Sequence, residues 1–124
     1  MANEKNNTIN YIEWPVADMQ RNKEFFTQLL GWQYQDYGPE YCSLVNAGID
    51  GGFYLSPEHL GYTSGNGPLM VIYASDILAC QQKVTALGGT IVQQLFDFPG
   101  GCRFHFKCPN NNEFAVWSES ITHQ

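Results

Sequence analysis

Two stretches of this 124-residue chain decide how its fold is read. The first is Asp18-Met19-Gln20-Arg21-Asn22-Lys23-Glu24-Phe25-Phe26-Thr27-Gln28-Leu29-Leu30-Gly31. The second, 58 residues further on, is Asp76-Ile77-Leu78-Ala79-Cys80-Gln81-Gln82-Lys83-Val84-Thr85-Ala86-Leu87-Gly88-Gly89. Each opens on an aspartate, whose carboxylate suits the unpaired N–H groups of a helix's first turn. Each closes on glycine, which takes the left-handed backbone of a helix exit at little cost. At the common offset Asp18 falls on Asp76, Met19 on Ile77, Phe26 on Val84, Leu29 on Leu87 and Gly31 on Gly89. Ile77, Cys80, Val84 and Leu87 recur at three- and four-residue steps, the period of one buried helix face. The chain therefore reads as two helices related by an internal repeat.

Working outward, strand-like runs flank both helices. Residues 9–16 precede the first, and 32–37, 41–46 and 51–55 follow it. Residues 69–74 precede the second, and 90–98, 103–107 and 114–118 follow it. All are rich in β-branched and aromatic residues and are separated by Gly, Pro or Asn. Each half thus reads strand-helix-strand-strand-strand within one domain, 1–124, with modules at about 9–55 and 69–118. The connection, 56–68, holds Pro57, Gly61, Gly65, Gly67 and Pro68 and reads as a mobile loop. His59 and Tyr62 on it are candidates to close over a ligand, against a reading as plain surface residues, which is favoured.

Hydrophobic residues make up 44% of the chain, enough for a core rather than a disordered tail. Six basic residues against 12 acidic ones leave a net charge of −6, with no basic concentration to track phosphates, so nucleic acid is not an expected partner. No apolar run reaches the ~20 residues of a membrane span, and no membrane partner is expected. The polar opening Met1-Ala2-Asn3-Glu4-Lys5-Asn6-Asn7 lacks the form of a signal peptide, which points to the cytoplasm. Cys42, Cys80, Cys102 and Cys108 then read as thiols, and with His59, His105 and His123 scattered they do not read as a zinc site. No dinucleotide fingerprint, phosphate loop or nucleophile elbow is present.

Particular words stand at the joints of the repeat: Glu13-Trp14-Pro15-Val16-Ala17-Asp18-Met19, Phe25-Phe26 with Leu30-Gly31-Trp32, and Gly51-Gly52-Phe53-Tyr54. The second half supplies Tyr73-Ala74-Ser75-Asp76-Ile77, Ala86-Leu87-Gly88-Gly89 and Phe106-Lys107-Cys108-Pro109-Asn110. With these words the pattern resembles the vicinal oxygen chelate superfamily, the glyoxalase/bleomycin-resistance/dioxygenase group, from about residue 9 to 118. The resemblance implies an α+β fold in which two βαβββ modules form an open barrel around a small-molecule ligand, with helices on the outer face. It also implies a homodimer. Active members of that group hold a divalent metal with His and Glu side chains at four positions. Those positions fall on Tyr11, Met70, Ala115 and the neighbourhood of Gly51-Gly52, with Asp50 close by. Tyr, Met and Ala do not offer the imidazole and carboxylate donors such an ion needs, so no metal and no other cofactor is expected.

Residues two apart on a strand share a face. If Tyr11 faces the barrel interior so does Glu13, and if Ala115 does so does Trp117. The resemblance places a ligand-contacting side chain at His105, which brings Arg103 to the same face and sends Phe104 and Phe106 toward a helix. Met70 and Ile72 are expected to complete the lining. Glu13 admits two readings: a carboxylate that grips a cationic ligand or acts as a base, or one that pairs with Arg103 or His105 across the cup. His105 likewise reads as a proton carrier or as a hydrogen-bonded wall residue. Cys102 lacks an orienting third group and reads as inert. Trp14, Phe25, Phe26 and Trp32 read as helix-on-sheet core.

The function these readings favour is metal-independent binding of a cationic or aromatic small molecule. The alternative is a glyoxalase-related lyase or isomerase using Glu13 and His105, or a divalent metal held by atypical ligands. A third reading is a partner-binding module whose cup is vestigial.

Overall fold

The computed structural model describes residues 6, 7, 9–59, 61–63 and 65–119; residues 1–5 and His123 lie outside them. The chain runs β1 (Ile12–Val16), α1 (Met19–Leu30), β2 (Tyr34–Asp36), β3 (Tyr41–Leu44), β4 (Gly51–Leu55), β5 (Met70–Tyr73), α2 (Ile77–Ala86), β6 (Thr90–Phe98), β7 (Gly101–Lys107) and β8 (Glu113–Ser118). This is the twice-repeated βαβββ order, α+β in class. Both helices start as their sequences dictate. Asp18 accepts from the Arg21 N–H and Asp76 from the Ala79 N–H, each at 3.1 Å. Gly31, at φ 76°, ends α1 and donates to the Thr27 carbonyl.

Each module forms its own four-stranded sheet, ordered β1-β4-β3-β2 and β5-β8-β7-β6. The first strand of each pairs parallel with the last, and the other pairs are antiparallel. β1 and β5 are consequently edge strands. The strand expected at 32–37 is shortened, because Trp32 turns inward and stacks on Phe26 at 4.9 Å before the ladder begins.

One apolar core serves both sheets. Phe26 of α1 lies 5.8 Å from Phe53 of β4 and 5.2 Å from Phe114 of β8, while Phe25 lies 6.0 Å from Phe106 of β7. Trp14 bridges the same two strands, 5.6 Å from Phe53 and 5.6 Å from Phe114. The aromatic cluster read as core is therefore core, and it is what joins the modules.

Two buried asparagines stitch the joint. Asn110 accepts from the N–H groups of Ala17 and Asp18, each at 2.7 Å, and donates to the Asp18 carbonyl. Asn112 donates to the Pro15 carbonyl and accepts from the Tyr62 N–H, each at 2.8 Å. The Tyr62 carbonyl in turn accepts from the Glu113 N–H at 2.7 Å. The connection between modules, read from composition as mobile, is thus tethered at Tyr62 to the start of β8. The Asn112 side chain, 50 residues further along the chain, supplies that tether, which composition cannot show.

Candidate functional site

Burial alternates along β3, β5 and β7, and the register of the paired strands carries the helix-facing and helix-free sides to their neighbours. On β1, Trp14 and Val16 are buried against the helices, which leaves Glu13 on the helix-free side with Tyr11 just before the strand. On β7, Cys102, Phe104 and Phe106 are buried, and Arg103, His105 and Lys107 share the opposite side. On β8 that side carries Glu113, Ala115 and Trp117. Tyr11 and Glu13 thus share a face of the first sheet, and Arg103, His105 and Trp117 share a face of the second.

Met70 and Ile72 depart from expectation. β5 runs parallel to β8 with Met70 opposite Phe114, Val71 opposite Ala115, Ile72 opposite Val116 and Tyr73 opposite Trp117. Met70 and Ile72 therefore share the helix-facing side with Phe114 and Val116, and both pack on the core. Val71 and Tyr73 take the helix-free side instead. The expected position was counted six residues before Asp76, whereas Tyr11 stands seven before Asp18. One residue inverts a strand's faces. Met70 and Ile72 line a groove of about 530 Å³ with Ile12, Trp14, Trp32 and Leu44, between the β1 and β5 edges.

The helix-free side of the first sheet carries a cluster of phenols around one carboxylate. Tyr41 of β3 donates to Glu13 Oε2 at 3.0 Å, and its oxygen lies 2.5 Å from the Tyr11 hydroxyl. Burial first, then the hydrogen bonds to Tyr11 and Glu13, hold the Tyr41 phenol well above its ordinary range, so it stays a donor. Tyr54, opposite Tyr41 across the strand pair, is pushed up by burial, by the neighbouring Tyr62 and by the Glu13 charge. Gly52 makes the arrangement possible. A Cβ there would stand 2.6 Å from the Cys42 carbonyl oxygen and collide with the Tyr41 hydroxyl. The role of Tyr41, Tyr54 and Tyr62 around Glu13 was missed in the sequence. Only the alternation Tyr41, Ser43 against Gly52, Tyr54 signalled it.

The second sheet carries a basic strip. His105 Nδ1 lies 2.9 Å from Glu113 Oε2, with side chains 12% and 7% exposed. His105 Nε2 and Arg103 Nε are both buried and without a hydrogen-bond partner. The Arg103 guanidinium sits 5.6 Å from the Phe96 ring and 5.9 Å from the Phe98 ring, both from β6. Glu13 is thus held by Tyr41, and His105 by Glu113. The pairing of Glu13 with Arg103 or His105 is replaced by these local partners. Glu113 was missed although it stands two residues before Ala115, on the same face. Cys102 is buried, its thiol donates weakly to the Ser118 carbonyl, and burial pushes it up, away from the thiolate.

The Glyoxalase/Bleomycin resistance protein/Dioxygenase superfamily matches the chain over residues 8–116. The chain belongs to this superfamily. Among curated proteins it is 26% identical over 117 residues to "Putative glyoxylase CFP32" of Mycobacterium bovis, covering 89% of this chain. It spans 45% of that relative's length, about half. Among solved structures, a glyoxalase-related enzyme from Fulvimarina pelagi superposes with a TM-score of 0.74 at 15% identity, over 90% of this chain and 88% of that one. The fosfomycin resistance protein FosX from Mesorhizobium loti gives 0.70 at 15% identity, over 91% and 92%. A family member from Burkholderia phytofirmans gives 0.73 at 16%, over 89% and 97%. At such identities the likeness is one of fold.

The divalent metal that this family implies finds no fitting donors here. Of the four positions, Tyr11 is engaged with Tyr41, Gly51 and Gly52 carry no side chain, and Ala115 offers a methyl opposite His105. The fourth was expected at Met70, which faces the core, and Val71 beside it is hydrocarbon. Among the described residues no three His, Cys, Asp or Glu side chains converge. A hard or borderline ion needs such convergence.

Proposed function

We propose that the chain is a metal-independent small-molecule-binding protein of the glyoxalase/bleomycin-resistance type that receives a cationic or aromatic compound at Glu13. The observation that carries this reading is the Glu13 carboxylate oriented by the Tyr41 hydroxyl, with the Tyr11 hydroxyl and Tyr54 nearby. A carboxylate beside phenol rings attracts a cation by its charge, and the rings add an aromatic surface for it. The open β1 and β5 edges, the groove between them and exposed Val71 and Tyr73 support a second copy as the covering partner. Four buried free cysteines suit a reducing compartment such as the cytoplasm.

Calorimetry with benzyltrimethylammonium and its neutral counterpart benzyl alcohol tests the reading. The cation is expected to raise the melting temperature, with about 1.4 kcal/mol of stabilisation at ten times its Kd. Glu13→Gln is expected to abolish that rise while leaving the unliganded melting temperature within about 2 °C, and EDTA is expected to change nothing. No rise in the wild-type protein, or the same rise in Glu13→Gln, sinks the proposal. One equivalent of tightly held metal sinks its metal-independence.

The hydrogen bond from His105 Nδ1 to Glu113 favours a second reading, a lyase or isomerase. A carboxylate that orients an imidazole is what a general base requires. On that reading His105→Asn abolishes turnover of a substrate while binding at Glu13 persists.

A further inference from the structure

We propose that Arg103 and His105 form a subsite for the carboxylate of a planar, aromatic small molecule, on the helix-free face of the second sheet. The inference rests on the small-molecule reading above and adds the chemistry of a second group on the ligand.

Three observations carry it. First, two ring or guanidinium nitrogens are left without partners on one strand face. Arg103 Nε and His105 Nε2 are buried without partners, two residues apart on β7 and therefore on the same side. A buried polar group without a partner costs about 1–3 kcal/mol, and Arg103 Nε is a donor that an external acceptor would complete. Second, Arg103 has no carboxylate beside it. The described residues hold two ion pairs, Lys23 with Asp36 and His105 with Glu113. The Arg103 guanidinium instead lies 5.6 Å from the Phe96 ring and 5.9 Å from the Phe98 ring, contacts that leave its N–H groups free for an acceptor. Third, the surroundings are aromatic and amphipathic. Trp117 stands opposite Arg103 across the β7–β8 pair, with the Phe96 ring 6.1 Å from His105.

The charge balance selects the class of anion. Arg103 and Lys107 bring two formal positive charges against one negative charge on Glu113, a balance of about plus one. A monoanionic carboxylate matches that balance, and a dianionic phosphate exceeds it. The guanidinium plane offers two parallel N–H groups to two carboxylate oxygens, and that match is planar.

The test titrates the whole protein with sodium benzoate, at fixed ionic strength, following Trp117 fluorescence and amide chemical shifts. Trp14 and Trp32 are buried, which leaves Trp117 as the responsive indole. Saturable binding of benzoate is expected, with benzyl alcohol at least tenfold weaker. Arg103→Met keeps an apolar stem beside the two phenylalanine rings and is expected to weaken benzoate at least tenfold without moving benzyltrimethylammonium binding. Arg103→Lys restores the charge but not the fork, and is expected to fall between. Benzoate that fails to saturate while benzyltrimethylammonium binds overturns the subsite and leaves the proposed function standing. Unchanged benzoate affinity in Arg103→Met also overturns it, as does equal competition by chloride. Failure of both probes overturns both proposals.

Discussion

Phe26→Ala is expected to cost about 3–5 kcal/mol of stability and to lower the melting temperature of the whole chain by at least about 10 °C. Phe26 is fully buried, and its ring meets Phe25 at 5.0 Å, Trp32 at 4.9 Å, Phe53 at 5.8 Å and Phe114 at 5.2 Å. Those neighbours come from α1, the first sheet and the second sheet. Removing the ring opens a void whose walls belong to three rigid elements, and such walls close only partly. Phe26→Leu, which keeps most of the volume, is expected to cost less than half as much. The further expectation concerns cooperativity. Because one side chain touches both modules, urea unfolding of Phe26→Ala should remain a single transition at lower midpoint. Two transitions, only one of them displaced, would show modules that fold independently and would contradict the shared core. A loss below about 1 kcal/mol would show that the site collapses around the smaller residue.

The repeat was legible because its signals are local. Asp18, Gly31, Asp76 and the Gly88-Gly89 exit act within one helical turn, and period alone separates helix from strand. The cores of both helices follow from the same spacing. The candidate site was legible only by face. Tyr11 with Glu13, and Arg103 with His105 and Trp117, emerge from strict alternation along single strands. What alternation cannot supply is the register between strands. Met70 and Ile72 were placed on the wrong side by a one-residue count. The partners of Glu13 and His105, namely Tyr41 and Glu113, come from neighbouring strands whose offsets are set by turn length. The tether of Tyr62 by Asn112 depends on the β7–β8 turn meeting the end of β1, a contact nearly a hundred residues apart in sequence. These are long-range facts, and no window of sequence contains them.

Raising the pH from 9 to 11 is expected to strip this protein of several kcal/mol of stability, through thiols that react with nothing at neutral pH. Cys80 and Cys108 are buried, and burial pushes both up to about 11 from 9.0. Burial also pushes Cys42 and Cys102 upward. In the unfolded chain a thiol loses its proton near pH 9, whereas in the folded chain it keeps it until the raised value is reached. Between those values the folded state binds more protons than the unfolded state, so stability falls as pH rises. The slope is about 1.4 kcal/mol per pH unit for each fully shifted thiol. Below pH 9 both states hold the proton, the slope vanishes and the stabilisation is fully present. Tyr41 and Tyr34, both held above the ordinary phenol range of 10.0, steepen the fall above pH 10. The window from 9 to 10 therefore isolates the cysteines. Urea midpoints measured across it should decline, and Cys80→Ala with Cys108→Ala should flatten the decline even if it lowers stability at pH 7. The same burial predicts that a thiol reagent at pH 8 labels none of Cys42, Cys80, Cys102 and Cys108 in the folded protein and all four in denaturant. Rapid labelling of the native chain would mean that the core opens far more readily than a single joined hydrophobic cluster allows. A flat stability profile through pH 10 would mean that the thiols are not desolvated as their burial implies.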